Sequence, residues 1–307
     1  MKVLVATQKP FSAAAVNGIK GILTGAGHQV EVLENYAAQA DFVAAVADAE
    51  AIIIRSDKVT AEVIAAAPKL KIVVRAGAGY DNVDLEAASA AKVVVMNTPG
   101  QNANAVAELA LGMMIYMART QFTPATGSEI MGKTIGIQAF GNVGRLVGAK
   151  AAALGMKVKA IDPFLPAEKI VAGGAEPAAN LEDLYATSNY VSIHIPATPQ
   201  TVRSIGYDLI TKMPKGGVLV NTARKEVIDE AGLAKALEDR PDLKYAADVA
   251  PDNLAELKEK FGARVYATPK KMGAQTAEAN MNAGLAAANQ IVDFFATGNT
   301  RFQVNKF

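Results

Sequence analysis

The chain has 307 residues, a formal net charge of +1 and hydrophobic residues at 51% of positions, enough for two domains with separate cores. Its lack of cysteine excludes disulfides, thiolate catalysis and cysteine metal sites, and two histidines, His28 and His194, are too few for a histidine metal cluster. No apolar run is long enough to span a bilayer, and no basic block argues for a nucleic-acid surface.

Residues 2–6 predict a first strand without the pattern of a cleavable signal, so a cytoplasmic, metal-independent protein is expected. Short apolar runs follow at 29–33, 51–54, 71–74 and 92–96, with helical spacing at 13–23 and 61–66 between them. Two of these strands end in polar residues. The first set is Arg55, Ser56, Asp57 and Lys58, and the second is Arg75, Ala76, Gly77, Ala78, Gly79, Tyr80, Asp81 and Asn82. The glycines would let backbone amides face an anion that Arg75 could clamp.

Residues 103–118 are apolar nearly all round, which requires burial between domains or against another subunit. A polar, turn-rich connection at 119–132 leads to an apolar strand at 134–139 and then Ala139, Phe140, Gly141, Asn142, Val143 and Gly144, where a helix opens. Gly141 would let amides approach a pyrophosphate, Gly144 would let the helix pack closely on the strand, and the helix N-terminus would hold the phosphates. The first glycine of the G-x-G-x-x-G pattern is Ala139 here, a small residue expected to permit the turn. The next strand, 157–161, ends at Asp162, which can accept hydrogen bonds from an adenosine ribose. Pro163, Phe164 and Leu165 follow with no basic side chain for a 2′-phosphate, which favours NAD over NADP.

Further strands are predicted at 190–195, 217–220, 244–247 and 264–267, with helices at 143–154 and 230–237. A third polar strand end, Asn221, Thr222, Ala223 and Arg224, offers a guanidinium that could fork onto a carboxylate. Residues 276–296 read as one long helix that could return the chain to the first domain. Continuous β-branched runs separated by helices indicate parallel strands buried on both faces, so the fold class is α/β with two doubly wound parallel sheets. Because about a hundred residues of α/β pattern precede the glycine loop, a separate domain comes first.

These motifs together identify a resemblance that runs over essentially the whole chain. It rests on Val59-Thr60, the stretch from Arg75 to Ala87, Met96-Asn97-Thr98-Pro99, Val106-Ala107-Glu108-Leu109, Gly132-Lys133-Thr134-Ile135-Gly136, Val191-Ser192-Ile193-His194-Ile195-Pro196 and Asn221-Thr222-Ala223-Arg224. The chain resembles the D-isomer-specific 2-hydroxyacid dehydrogenases. The resemblance implies a flavodoxin-like substrate domain, 1–98 plus 283–307, with an inserted Rossmann NAD domain, 99–282. It implies hydride transfer between C2 of a hydroxy acid and nicotinamide C4 in a cleft between the domains, and a homodimer formed largely through the cofactor domain.

Residue by residue, the resemblance makes Arg224 the catalytic arginine that binds the substrate carboxylate and carbonyl. His194, Ile195, Pro196, Thr222, Ala223 and Asp248 flank the cofactor, together with Ala139–Gly144, Asp162 and Pro163. Arg55, Ser56, Lys58, Arg75, Ala76, Gly77 and Ala78 match substrate-binding positions, and the cationic side chains among them favour a phosphorylated hydroxy acid. This points to oxidation of D-3-phosphoglycerate. Another D-2-hydroxyacid dehydrogenase, such as a glyoxylate/hydroxypyruvate reductase, or a non-catalytic NAD-sensing protein are the alternatives. The chain ends soon after its last helix, so no serine-binding regulatory domain and no feedback inhibition by serine are expected.

Two departures from the family pattern bear on proton chemistry. The family's acid/base histidine is replaced by Lys270 or Lys271, depending on whether one counts from Pro269 or from Gly273. A lysine can serve if partial burial and nearby Arg224 lower its pKa. The family's acid partner, a Glu, falls at Asn253, which leaves Asp248 and Asp252 as candidates.

Overall fold

The computed structural model describes all residues, Met1–Phe307. They form two compact units, Met1–Asn102 with Gln275–Phe307, and Ala103–Ala274.

In the first unit the order is β1 (Lys2–Thr7), α1 (Ala13–Gly25), β2 (Gln29–Glu34), α2 (Gln39–Ala45), β3 (Ala51–Ile54), α3 (Ala61–Ala65), β4 (Ile72–Arg75), α4 (Leu85–Ala90) and β5 (Val94–Asn97). The strands pair in the order β2-β1-β3-β4-β5, all parallel. Alternate side chains supply two buried layers. Val3, Val5, Ile53 and Val74 pack with α1, while Leu4, Ile52, Ile54 and Val73 pack on the opposite face. The order reverses at β1 and β3, so the unit's switch point lies where Arg55 leaves β3.

The second unit opens with α5 (Ala103–Ala118), followed by β6 (Thr134–Gln138), α6 (Asn142–Ala153), β7 (Lys157–Ile161), α7 (Ala167–Ala172) and β8 (Glu176–Pro177). It continues with α8 (Leu181–Thr187), β9 (Tyr190–Ile193), α9 (Tyr207–Ile210), β10 (Val218–Asn221), α10 (Glu230–Asp239), β11 (Lys244–Ala247), α11 (Leu254–Phe261) and β12 (Val265–Ala267). Seven parallel strands run β12-β11-β10-β9-β6-β7-β8. The all-round apolar α5 is accounted for inside this unit. Its Ala107, Leu111, Met113, Met114 and Met117 are buried with α6 and with Ile135, Ile137 and Val220 on one sheet face.

A last helix, α12 (Ala277–Thr297), is capped by Thr276, whose hydroxyl accepts from the Ala279 amide at 3.1 Å. It packs on α1 in the first unit through Ala283, Ala287, Ala288 and Ile291. The division therefore falls at 102/103 and 274/275, whereas 98/99 and 282/283 were expected, because α12 belongs to the first unit along its whole length. No helix is long and apolar enough to cross a membrane.

Candidate active site

The glycine loop is built on the end of β6. Ala139 adopts a left-handed φ of +73°, the conformation its position in the G-x-G-x-x-G pattern reserves for glycine. An L-residue there costs about 1–2 kcal/mol. Ala139→Gly should therefore raise stability by about 0.5–1 kcal/mol, after the greater unfolded-chain freedom of glycine is subtracted. Denaturant unfolding checks this, and a midpoint at or below that of the unaltered chain would refute it.

Gly141 forms the N-cap of α6 without any side-chain cap, so the amides of the first helical turn are left for another acceptor. Its φ of −78° suits any residue, and a Cβ added to it would meet nothing within 4 Å. Neither backbone nor packing within the protein therefore demands glycine, and the open space suits a phosphate approaching the helix N-terminus. Gly144 is different: an added Cβ would lie 2.2 Å from the Ala139 carbonyl oxygen and 3.0 Å from Ile137 Cγ2.

Asp162 ties this loop to the end of β7. Its Oδ2 accepts from the Phe140 amide and its Oδ1 from the Phe164 amide, both at 2.9 Å. Each oxygen keeps a further lone pair for a ribose hydroxyl. Arg145 of α6 donates Nε to the Phe140 carbonyl at 3.0 Å. On the other side of β6, His194 extends the ladder through its amide to Gln138, and its Nε2 lies 2.9 Å from Ser192 Oγ. Burial pushes its pKa down to about 4, so the ring is neutral at pH 7. Ile195 is buried and Pro196 exposed. Thr222 Oγ1 is buried without a protein partner, as a hydroxyl reserved for a ligand would be.

Arg224 is held by a locked turn. Asn221, fully buried, accepts the Ala223 amide on Oδ1 at 2.9 Å and donates Nδ2 to the Arg224 carbonyl at 2.8 Å. The guanidinium itself donates Nη1 to the Ala223 carbonyl at 2.9 Å. The sequence marks Asn221 as the start of a polar strand end but not its part in holding the turn; a strand-ending Asn two residues before a small residue is the signal for such an Asx turn.

Asp248 and Asp252 are both engaged by groups other than Lys270. Asp248 is 1% exposed, and its Oδ1 accepts from Thr268 Oγ1 at 2.9 Å and the Met272 amide at 2.6 Å. Its Oδ2 accepts from the Gly273 amide at 2.8 Å. The carboxylate thus clamps the loop that carries Lys270 and Lys271, because three donors in one short segment converge on it. Asp252 pairs instead with Lys225 Nζ at 2.5 Å. Asn253 is engaged by Glu230, its backbone amide donating to Oε2 at 3.1 Å and its Nδ2 to the Glu230 carbonyl at 3.5 Å. Lys270 and Lys271 are both exposed, so the partial burial expected of a lysine base is not supplied by the fold of the loop itself.

At the strand ends of the first unit, Arg55 is half committed to structure. Its Nη1 donates to the Lys9 and Pro10 carbonyls at 3.1 and 3.0 Å, its Nη2 donates to Asn280 Oδ1, and it lies 5.1 Å over the Phe11 ring. Burial lowers its pKa from the ordinary arginine value. Arg75 donates Nε to the Arg55 carbonyl at 3.0 Å, which joins the two strand ends. Gly77 has φ +152°, and a Cβ there would sit 1.5 Å from Arg75 Nη1, so the arginine lies directly over the glycine. The amides of Ala76 and Gly77 are taken by the Ile54 and Arg75 carbonyls, so of the glycine amides expected to face an anion, that of Gly77 is already engaged. Ala78, Ser56 and Lys58 are exposed.

A doubly wound sheet with a glycine loop at its switch point, an uncapped helix end and a strand-ending carboxylate defines a dinucleotide-binding α/β protein. The model of the D-isomer specific 2-hydroxyacid dehydrogenase family (catalytic domain) matches residues 5–305, and the chain belongs to that family of dehydrogenases. The D-3-phosphoglycerate dehydrogenase of Mycobacterium tuberculosis (strain ATCC 25618 / H37Rv) is 38% identical over 281 residues, 86% of this chain and 53% of the relative. The chain thus spans about half the length of these curated relatives. The hydroxypyruvate reductase of Thermotoga maritima is 35% identical over 285 residues, covering 86% of this chain and 90% of the relative. Among solved structures, a 3-phosphoglycerate dehydrogenase of Entamoeba histolytica with bound NAD+ is 48% identical. It covers 100% of this chain and 99% of its own with a TM-score of 0.91.

Proposed function

We propose that this chain oxidises D-3-phosphoglycerate to 3-phosphohydroxypyruvate with NAD, a step of serine biosynthesis. The observation that carries this is the end-to-end likeness to an NAD+-bound 3-phosphoglycerate dehydrogenase at 48% identity. Open space at Gly141, the uncapped end of α6 and the unpartnered Thr222 hydroxyl fit a dinucleotide. Bound NAD+ supplies the hydride acceptor.

In this reading the amides of Asn142, Val143 and Gly144 hold the pyrophosphate, and Asp162 accepts the ribose hydroxyls. Arg224 forks onto the substrate carboxylate and C2 oxygen. The Nζ of Lys270 or Lys271 takes the C2 hydroxyl proton as the hydride leaves C2. Arg55, Ser56, Lys58 and Arg75 bind the phosphate, since a lone carboxylate would need only one clamp. Both lysines are exposed in the loop, so either can reach a bound hydroxy acid. Exposed Phe122 and Met131 of the cofactor unit support a homodimer through that unit, and a cytoplasmic location belongs to the same reading.

The hydroxypyruvate reductase relative, matched over 90% of its length, favours a second reading in which reduction of an unphosphorylated keto acid dominates. Steady-state kinetics on 3-phosphoglycerate, glycerate, glyoxylate and hydroxypyruvate, each with NAD and NADP forms, separates the two. The expected result is an NAD preference and a kcat/KM for 3-phosphoglycerate roughly a hundredfold above that for glycerate, the worth of about two charge-assisted contacts. Comparable rates on glycerate would favour the second reading. No turnover on any of them would leave a nucleotide-binding protein without catalysis.

A further inference from the structure

We infer that Asp57 is a positioning residue for the phosphate end of the substrate, an inference that rests on the phosphoglycerate reading above. It lies in the polar strand end that supplies Arg55, Ser56 and Lys58, yet its own side chain turns inward. Asp57 is 7% exposed, while Ser56 and Lys58 on either side of it are exposed. Its oxygens are engaged from three directions. Oδ1 accepts from the Gln8 amide just past β1 and from the Tyr36 hydroxyl just past β2, both at 2.6 Å. Oδ2 accepts from the Arg55 amide at the end of β3, at 3.2 Å. One carboxylate thus gathers the chain where three neighbouring strands stop, at the switch point of the sheet.

The backbone around it is secured as well. Asn82, from the segment after β4, donates Nδ2 to the Asp57 carbonyl at 2.7 Å and to the Arg55 carbonyl at 3.3 Å, and the latter also accepts Arg75 Nε. Burial, and then the bond to Asp57, push the Tyr36 phenol well above its ordinary pKa, so it stays a donor. On charge alone a carboxylate here is a handicap, because it repels the phosphate that Arg55 and Lys58 attract. Geometry accounts for it: an ionised carboxylate accepts on both oxygens, and the three donors need both. An asparagine would turn an N–H toward either the Arg55 amide or the Gln8 and Tyr36 donors, releasing the segment that carries Arg55, Ser56 and Lys58.

Charge and positioning predict opposite signs for Asp57→Asn, which makes it the test. In the full chain, shown to be folded by circular dichroism, the KM and the calorimetric Kd for 3-phosphoglycerate should rise about tenfold although a negative charge has gone. Over the same comparison, kcat and the KM for NAD+ should stay within about threefold, and so should the KM for glycerate, which has no phosphate to place. Tyr36→Phe removes one of the three donors and should raise the KM for 3-phosphoglycerate about threefold, a milder change that serves if Asp57→Asn does not fold. Unchanged or tighter binding of 3-phosphoglycerate in either variant, or an equal loss on glycerate, would overturn the positioning role while the phosphoglycerate reading stands. A parent protein that binds and turns over 3-phosphoglycerate no better than glycerate would overturn both.

Discussion

Of Lys270→Ala and Lys271→Ala, one and only one is expected to lose turnover, by a factor of about 10²–10⁴, the range that a positioned acid/base group contributes. The other should keep kcat within a few-fold, since adjacent residues on a loop held at Thr268, Met272 and Gly273 cannot both present Nζ to one hydroxyl. Neither aspartate candidate alters this expectation, because Asp248 is consumed by the loop and Asp252 by Lys225. The pH dependence has a definite sign. Oxidation needs the neutral amine, so its kcat should rise as the pH is raised. Reduction needs the ammonium and should fall over the same interval. A histidine base would have levelled off near neutrality, given its usual pKa of about 6.5. Paired pH–rate profiles in the two directions read this out, and retention of activity by both alanine variants would end the lysine proposal.

Gly144→Ala should cost about 3 kcal/mol of stability, at the upper end of overpacking effects. The obstacle is the Ala139 carbonyl oxygen at 2.2 Å, a backbone atom of the preceding turn that cannot rotate aside, with Ile137 Cγ2 behind it at 3.0 Å. Helix α6 would have to lift from β6, disturbing the layer formed by Ile135, Ile137 and Val147. For a unit of this size that loss corresponds to a melting temperature lower by roughly 6–12 °C. Gly141→Ala is the control: with open space around its Cβ it should melt within a degree or two of the parent, while losing affinity for AMP-containing ligands. A Gly144→Ala protein as stable as the parent would mean that helix and strand are not in the tight apposition described.

Both sheets were legible because parallel strands are buried on two faces and so appear as unbroken apolar runs. All eleven predicted strands are present, some shifted by a residue or two at their ends. What escaped was short: β8 is two residues ending in Pro177 at the sheet edge, and α2, α4, α7, α8, α9 and α11 have eight residues or fewer, too few turns to display a period. The positions of the candidate site residues were legible as polar groups where apolar strands stop. Their partners were not. Asp248 meets Met272 across 24 positions, and Asn280 meets Arg55 across 225, distances at which local pattern carries no information. Ala139 looked innocuous by size, whereas backbone handedness makes its position demanding.

Asp162 imposes a constraint on how this protein could evolve. A change of nucleotide preference would ordinarily begin by removing the carboxylate that repels a 2′-phosphate. Here that same side chain fastens the Phe140 and Phe164 amides, so its removal would release two loop segments at once. Under the role proposed for Asp162, discrimination against NADP and the shape of the nucleotide cradle would be one trait, not two. A lineage shifting its redox partner would need a replacement tether in place before the charge could go.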